Sequence, residues 1–125
     1  MNAVLEREIK KDVKRLEVWM VDLGGKRGSV QSGLRPMLIV QNNMGNKYAP
    51  TVIGIPMTTS KTKKNIPTHV NLSAGECGLD YDSTILAEQI VTVDKNYLQF
   101  KATNIPEAYA PQIEKAIAVS LGMNF

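Results

Sequence analysis

Gly24–Gln41 reads GGKRGSVQSGLRPMLIVQ, and its two halves have opposite characters. The first is too polar and too rich in glycine to bury itself: Gly24, Gly25, Gly28 and Gly33 are interleaved with Lys26, Arg27, Ser29, Gln31 and Ser32. The second, Met37-Leu38-Ile39-Val40, is apolar on consecutive residues, as a strand covered on both faces should be, which makes it central. Arg35-Pro36 stands at the joint. A glycine loop anchored by a buried strand lets backbone approach a ligand and presents side chains from a rigid base. Arg35 is therefore the first candidate for a functional cation, aimed at a phosphate.

Working outward from this stretch gives more strands. Upstream, Trp19, Val21 and Leu23 alternate with Val18, Met20 and Asp22 in the period of a half-buried strand. Before it, Val4/Leu5, Ile9, Val13 and Leu16 recur at the spacing of one helix face, which predicts an amphipathic N-terminal helix in need of a surface to pack on. Downstream, Asn42–Asn46 reads as a turn, and Thr51–Met57 resumes a β-branched strand that Gly54 and Pro56 should bend. A hydroxyl-rich basic loop, Thr58–Asn65, leads into a short strand over Thr68–Leu72. Gly75–Asp82 reads as a polar turn, and Ser83–Thr92 as one long strand in which Glu88 or Gln89 must face inward or into a cleft. Asp94–Leu98 suits a helical turn. The chain closes on a helix with Ile113, Ile117 and Leu121 on one face, Pro111 in its first turn and Gly122 beyond its end.

Consecutive strands with no helical pattern between them, and helices only at the ends, predict a mainly β fold with peripheral helices: a small twisted barrel or sandwich rather than a doubly wound α/β sheet. The chain has 125 residues, 43% hydrophobic and 22% charged, within the range of one globular domain. A net charge of +3 is compatible with a polyanionic partner without demonstrating one. Cys77 is the only cysteine, which excludes an internal disulfide and fits a reducing cytoplasm, and no Cys/His clustering points to a metal. No apolar run is long enough to span a membrane and no secretion signal opens the chain, so a soluble protein without membrane contact is expected.

Arg35, the Thr58-Thr59-Ser60 run at a strand exit and the Glu88-Gln89 pair are the polar groups placed to do chemistry. With His69 the only histidine, a two-histidine ribonuclease is excluded, and neither a Ser-His-Asp order nor a Walker-type phosphate loop occurs. An arginine can stabilise the extra charge of a phosphorane-like transition state, and a threonine hydroxyl can hold a phosphate oxygen. Each group also fits an ordinary structural role: Arg35 in an ion pair, the hydroxyl run capping its own turn, His69 as a hydrogen-bonded strand residue, and Lys61, Lys63 and Lys64 as a solvated loop. Cys77 has no activator beside it in sequence.

The run GSVQSGLRPMLIVQNNMGNKYAPTV, followed by IPTHVNL, DSTILAEQIVTVDK and a terminal AIAVSLG, closely resembles the MazF/PemK family of toxin endoribonucleases from bacterial toxin–antitoxin pairs. The likeness runs from about Leu16 to the C-terminus in one register, leaving residues 1–15 as an N-terminal helical extension to a 16–125 domain. It implies an SH3-like barrel with a C-terminal helix, paired as a homodimer. The implied activity is metal-independent, cofactor-free cleavage of single-stranded RNA at short sequences, leaving 2′,3′-cyclic phosphate and 5′-hydroxyl ends. On the family's motifs Arg35 and Thr58 are the catalytic residues: Arg35 binds the scissile phosphate and stabilises its developing charge, and Thr58 orients a phosphate oxygen. Ser29, Gln31, Thr59, His69, Glu88 and Gln89 are implied to hold RNA. A cognate antitoxin with an acidic, disordered tail is the implied protein partner, using the same groove.

Two positions depart from the family. Many relatives read GSEQ where this chain has Val30, so the resemblance supplies no residue for the general base. Relatives also tend to carry glycine where this chain has Leu16. The same barrel also occurs in non-enzymatic toxins of the CcdB type, which inhibit a topoisomerase and do not need Arg35, and Val30 is equally compatible with a weakened homologue that only binds RNA or antitoxin.

Overall fold

The computed structural model describes residues 11–23, 33–59 and 65–124. Among these, seven strands form the body: β1 Glu17–Asp22, β2 Leu34–Ile39, β3 Thr51–Thr58, β4 His69–Leu72, β5 Ser83–Leu86, β6 Val91–Asp94 and β7 Leu98–Asn104. The α-helices are α1 Asn43–Tyr48, α2 Ala74–Cys77 and α3 Ala110–Leu121. All pairings are antiparallel and run in the order β4-β5-β3-β2-β1-β7. The mainly β architecture with a C-terminal helix is as expected; the path is not closed, because β4 and β7 at its ends do not pair with each other. No helix among the described residues is long and apolar enough to cross a membrane.

β3 organises the sheet. One of its edges pairs with β2, while the other is shared, Thr51–Gly54 with β6 and Met57-Thr58 with β5. Sharing an edge obliges the chain to turn a corner between β5 and β6, which it does in a 3-10 turn, Ala87–Gln89. The single strand expected over Ser83–Thr92 is therefore two. Neither Glu88 nor Gln89 has to point inward; both are exposed on the corner.

Alternation along the central strands builds apolar clusters on both faces of the sheet. Val18, Leu38, Ile55, Met57, Val70, Leu72 and Ile85 pack on one side with Ile113 and Ala116 of α3. Trp19, Val21, Met37, Ile39, Val52, Val93 and Leu98 pack on the other. Adjacent residues of β1 and β2 thus bury into opposite clusters, as consecutive apolar residues require. Gly54 is needed within β3: a Cβ there would lie 2.6 Å from Met37 atoms, so the absent side chain gives Met37 its place across the strand. On α3 the buried stripe is Ile113, Ala116 and Ala118, with Ile117 at its edge; Leu121, expected on that face, is 58% exposed. Gly122 ends the helix in the left-handed conformation, φ 72°.

Two local readings change, and one strand is new. Asn42–Asn46 is not a bare turn: the Asn42 side chain accepts a hydrogen bond from Gly45 N and caps α1. β7 carries no expectation from sequence because it lies at the sheet edge with Leu98 alone buried, so no alternation marks it. Residues 1–10 of the expected N-terminal helix lie outside the described residues, and residues 11–14 run without helix. Val13 joins the second cluster, and Arg15 is fastened on three sides: its N donates to Asn43 Oδ1 (2.7 Å), its Nε to the Val40 carbonyl (3.0 Å), and Nη1 lies 3.4 Å from Glu114.

Candidate active site

The pairs Met37↔Pro56, Leu38↔Ile55 and Ile39↔Gly54 fix the register of β2 on β3. Arg35 and Thr58 each lie two residues beyond the last of these pairs, so alternation puts their side chains on one face of the sheet. Residues far apart in sequence are thus brought to one face by strand pairing. On its other side Arg35 pairs with Val21 of β1, and Thr58 pairs with Thr84 of β5. Arg35 is exposed and Thr58 partly so, which leaves the guanidinium within reach of solvent and ligand while pairing with β1 holds its backbone.

Arg35 lies on the rim of a cleft of about 380 Å³, lined also by Leu23, Pro36, Pro56, Gln89, Ile90 and Val91. The corner at Ala87–Gln89 places Gln89 here. One permanent cation and one amide over an apolar floor suit a phosphate and an adjoining flat, partly apolar group.

Glu88 faces elsewhere. Its Oε1 accepts from Thr68 Oγ1 (2.8 Å), and its Oε2 lies 3.1 Å from His69 Nε2. Burial acts to raise the Glu88 pKa, but hydrogen bonds from Thr68, its own backbone and His69 outweigh it and leave the carboxyl below its ordinary value. Glu88 therefore stands as an ionised acceptor bracing the start of β4. His69 Nδ1 is buried with no hydrogen-bond partner among the described residues.

Thr59, one residue beyond Thr58, lines a different cavity with Ala74, Asp80, Tyr81 and Asp82. Ser29, Gln31 and Val30 lie outside the described residues, as do Lys61, Lys63 and Lys64. Arg35 and Gln89 thus share one cleft, Thr58 lies on the same face of the sheet as Arg35, His69 and Glu88 form a neighbouring pair, and Thr59 lines a different cavity. Sequence reading passed over Thr68, Asn71 and Thr84. Asn71 carried a usable signal, being a polar residue between the inward-facing Val70 and Leu72 of a short strand.

Near the end of this region the Tyr109 hydroxyl donates to Glu76 Oε1, and that bond, chiefly, pushes the phenol pKa up to about 12. A folded pKa above the unfolded value means that this contribution to stability is complete below about pH 10 and is lost as pH rises towards 12. Ultraviolet titration of Glu76→Gln should show the Tyr109 midpoint falling back towards about 10. An unchanged midpoint would assign the shift to burial instead.

The comparisons agree with this architecture. The chain belongs to the PemK-like, MazF-like toxins of type II toxin–antitoxin systems, whose family model matches residues 14–121. It is 44% identical over 112 residues to the endoribonuclease MazF of Staphylococcus epidermidis, covering 90% of this chain and 93% of that protein. Among solved structures it matches an endoribonuclease from a mycobacterial species at TM-score 0.75 and 25% identity, over 92% of this chain and 96% of the other. A mycobacterial endoribonuclease in complex with its cognate antitoxin matches at TM-score 0.73 and 26% identity, over 90% and 98%. The family read from the sequence motifs is the family the chain belongs to.

Proposed function

We propose that this toxin is an endoribonuclease that cuts single-stranded RNA by transesterification, with Arg35 and Thr58 at the scissile phosphate. The observation that carries the reading is the β2–β3 register, whose alternation puts Arg35 and Thr58, each two residues beyond the last pair Met37↔Pro56, on the same face of the sheet. In the reaction the 2′-oxygen attacks phosphorus, the bond to the 5′-oxygen breaks, and the products carry a 2′,3′-cyclic phosphate and a 5′-hydroxyl. The proton leaves the 2′-hydroxyl and one is delivered to the departing 5′-oxygen. Arg35 donates to the non-bridging oxygens, where charge grows, and Thr58 fixes the orientation of one of them. With valine at position 30, the proton acceptor is not a carboxylate between Ser29 and Gln31.

The remaining parts follow from the same reading. Gln89 and, from the segment that precedes β2 in sequence, Ser29 and Gln31 hold RNA; His69, Glu88 and Thr59 are further contacts. The active form is a cytoplasmic homodimer whose groove takes either RNA or the antitoxin, and residues 1–15 are an appendage to a 16–125 domain. The test is to incubate the purified protein with a mixed-sequence RNA in EDTA and map the ends. Cleavage giving cyclic phosphate and 5′-hydroxyl ends is expected. Products with 5′-phosphates, a requirement for a divalent cation, or intact RNA would each overturn the reading.

A further inference from the structure

The face that carries Arg35 and Thr58 does not stop at β3. Thr58 pairs with Thr84 on β5, and Thr84 pairs with Asn71 on β4. Directly opposed residues share a face, so Thr58, Thr84 and Asn71 form a polar line across three strands, and the alternation of β2 and β3 puts Arg35 on that same face. At its far end the line opens into a cavity of about 350 Å³, lined by Asn71, Ser73, Asp82, Ser83, Thr84 and Tyr109.

The lining residues include no lysine or arginine, and they include a carboxylate. That composition repels a phosphate. It suits a neutral, flat group with both a donor and an acceptor on its edge. Asn71 Oδ1 accepts from Thr84 Oγ1 (2.9 Å), which commits the amide oxygen to Thr84 and turns the NH₂ into the donating end. Asp82 Oδ1 accepts from Ala74 N (2.8 Å), and a carboxylate so engaged retains further lone pairs. Tyr109, tethered through its hydroxyl to Glu76, supplies an aromatic wall.

Resting on the ribonuclease reading, we propose that this cavity is a nucleobase pocket, taking one unstacked base of the substrate beyond the nucleotides that flank the cut. Asn71 donates to the base edge, Asp82 accepts from it, and Tyr109 covers its face, the arrangement by which splayed bases of single-stranded RNA are read. Thr84 is a positioning residue: largely buried at the cavity wall, it gives its hydroxyl hydrogen to Asn71 and so orients that amide. The pocket thus sets sequence preference at one position while the chemistry stays at Arg35.

The test measures kcat/KM on oligoribonucleotides varied singly at each position around the cut, for the parent, Asn71→Ala, Thr84→Val and Asp82→Asn, with thermal melts alongside. Asn71→Ala should reduce discrimination at one position away from the cut by about tenfold to a hundredfold, and Thr84→Val should do so less, at the same position. Asp82→Asn keeps an oxygen for Ala74 N but replaces an accepting group with a donating one, so it should change which base is preferred there. Variants with the parent's preference at every position, or a loss of rate uniform over all sequences, would overturn the pocket while leaving the ribonuclease reading intact. A parent protein that cuts no RNA would overturn both.

Discussion

Arg35→Ala should lower RNA cleavage about a thousandfold in a single-turnover assay while barely moving the melting temperature. Its side chain is exposed at the cleft rim and it lies outside both apolar clusters, so its removal creates no cavity. On the proposed mechanism what is lost is a charged donor aimed where negative charge grows on phosphorus, and such groups are worth far more in the transition state than in the bound substrate. kcat should therefore fall much more than KM rises. Arg35→Lys restores charge without the planar fork and should recover only part of the rate. Thr58→Val, which keeps the strand-compatible shape and removes one hydroxyl, should cost on the order of tenfold to a hundredfold. Cleavage undiminished in Arg35→Ala would exclude the arginine from the chemistry and turn attention to a toxin that acts by binding alone.

The reach of the sequence can be judged residue by residue. β2 was legible because Met37–Val40 places apolar groups on both faces at once, a pattern that needs a covered strand. The corner after β5 was not, because it arises from two strands competing for one edge of β3, a long-range fact that leaves Glu88-Gln89 looking like an interruption within a strand. β7 was missed for the opposite reason, its exposed edge imposing no pattern on Gln99–Ala102. At the site, residue chemistry made Arg35 and Thr58 candidates, but only the register of β2 on β3 puts them on the same face of the sheet. Asn71 and Thr84 each read as ordinary strand polar residues until the β4–β5 pairing joined them through a hydrogen bond.

The same limit applies to Val30. Its effect on the mechanism was visible from the motif, since a missing carboxylate is a statement about composition. Finding the group that replaces it is a statement about geometry. The bonded pair His69–Glu88 is a poor substitute on present contacts, because its carboxylate is already shared with Thr68 and its ring is nearly enclosed, with side-chain exposure of 11%.

The largest stability effect outside the centre of the sheet is expected at Leu16, where the order of two substitutions should invert the usual one. Leu16 is the one non-glycine residue with positive φ, 74°, among the described residues, yet it is 5% exposed and packs in the main cluster. The conformation is held by two backbone bonds: its N–H donates to the Ile39 carbonyl (2.8 Å), and its own carbonyl accepts from Ile105 N (2.8 Å), tying the start of β1 to the end of β2 and to the segment after β7. Left-handed backbone costs a residue with a Cβ roughly 1–2 kcal/mol, a penalty glycine escapes. Leu16→Ala loses the packing and keeps the penalty, so it should destabilise by about 3 kcal/mol, on the order of 10 °C in Tm. Leu16→Gly loses the same packing but removes the strain, and should be more stable than the alanine variant by roughly 1 kcal/mol. Urea denaturation of the three proteins decides it. If glycine proves the less stable, the φ strain is not a significant term, and leucine stands where relatives tend to have glycine for packing alone; if alanine does, the side chain's burial is what offsets a backbone that would otherwise favour glycine.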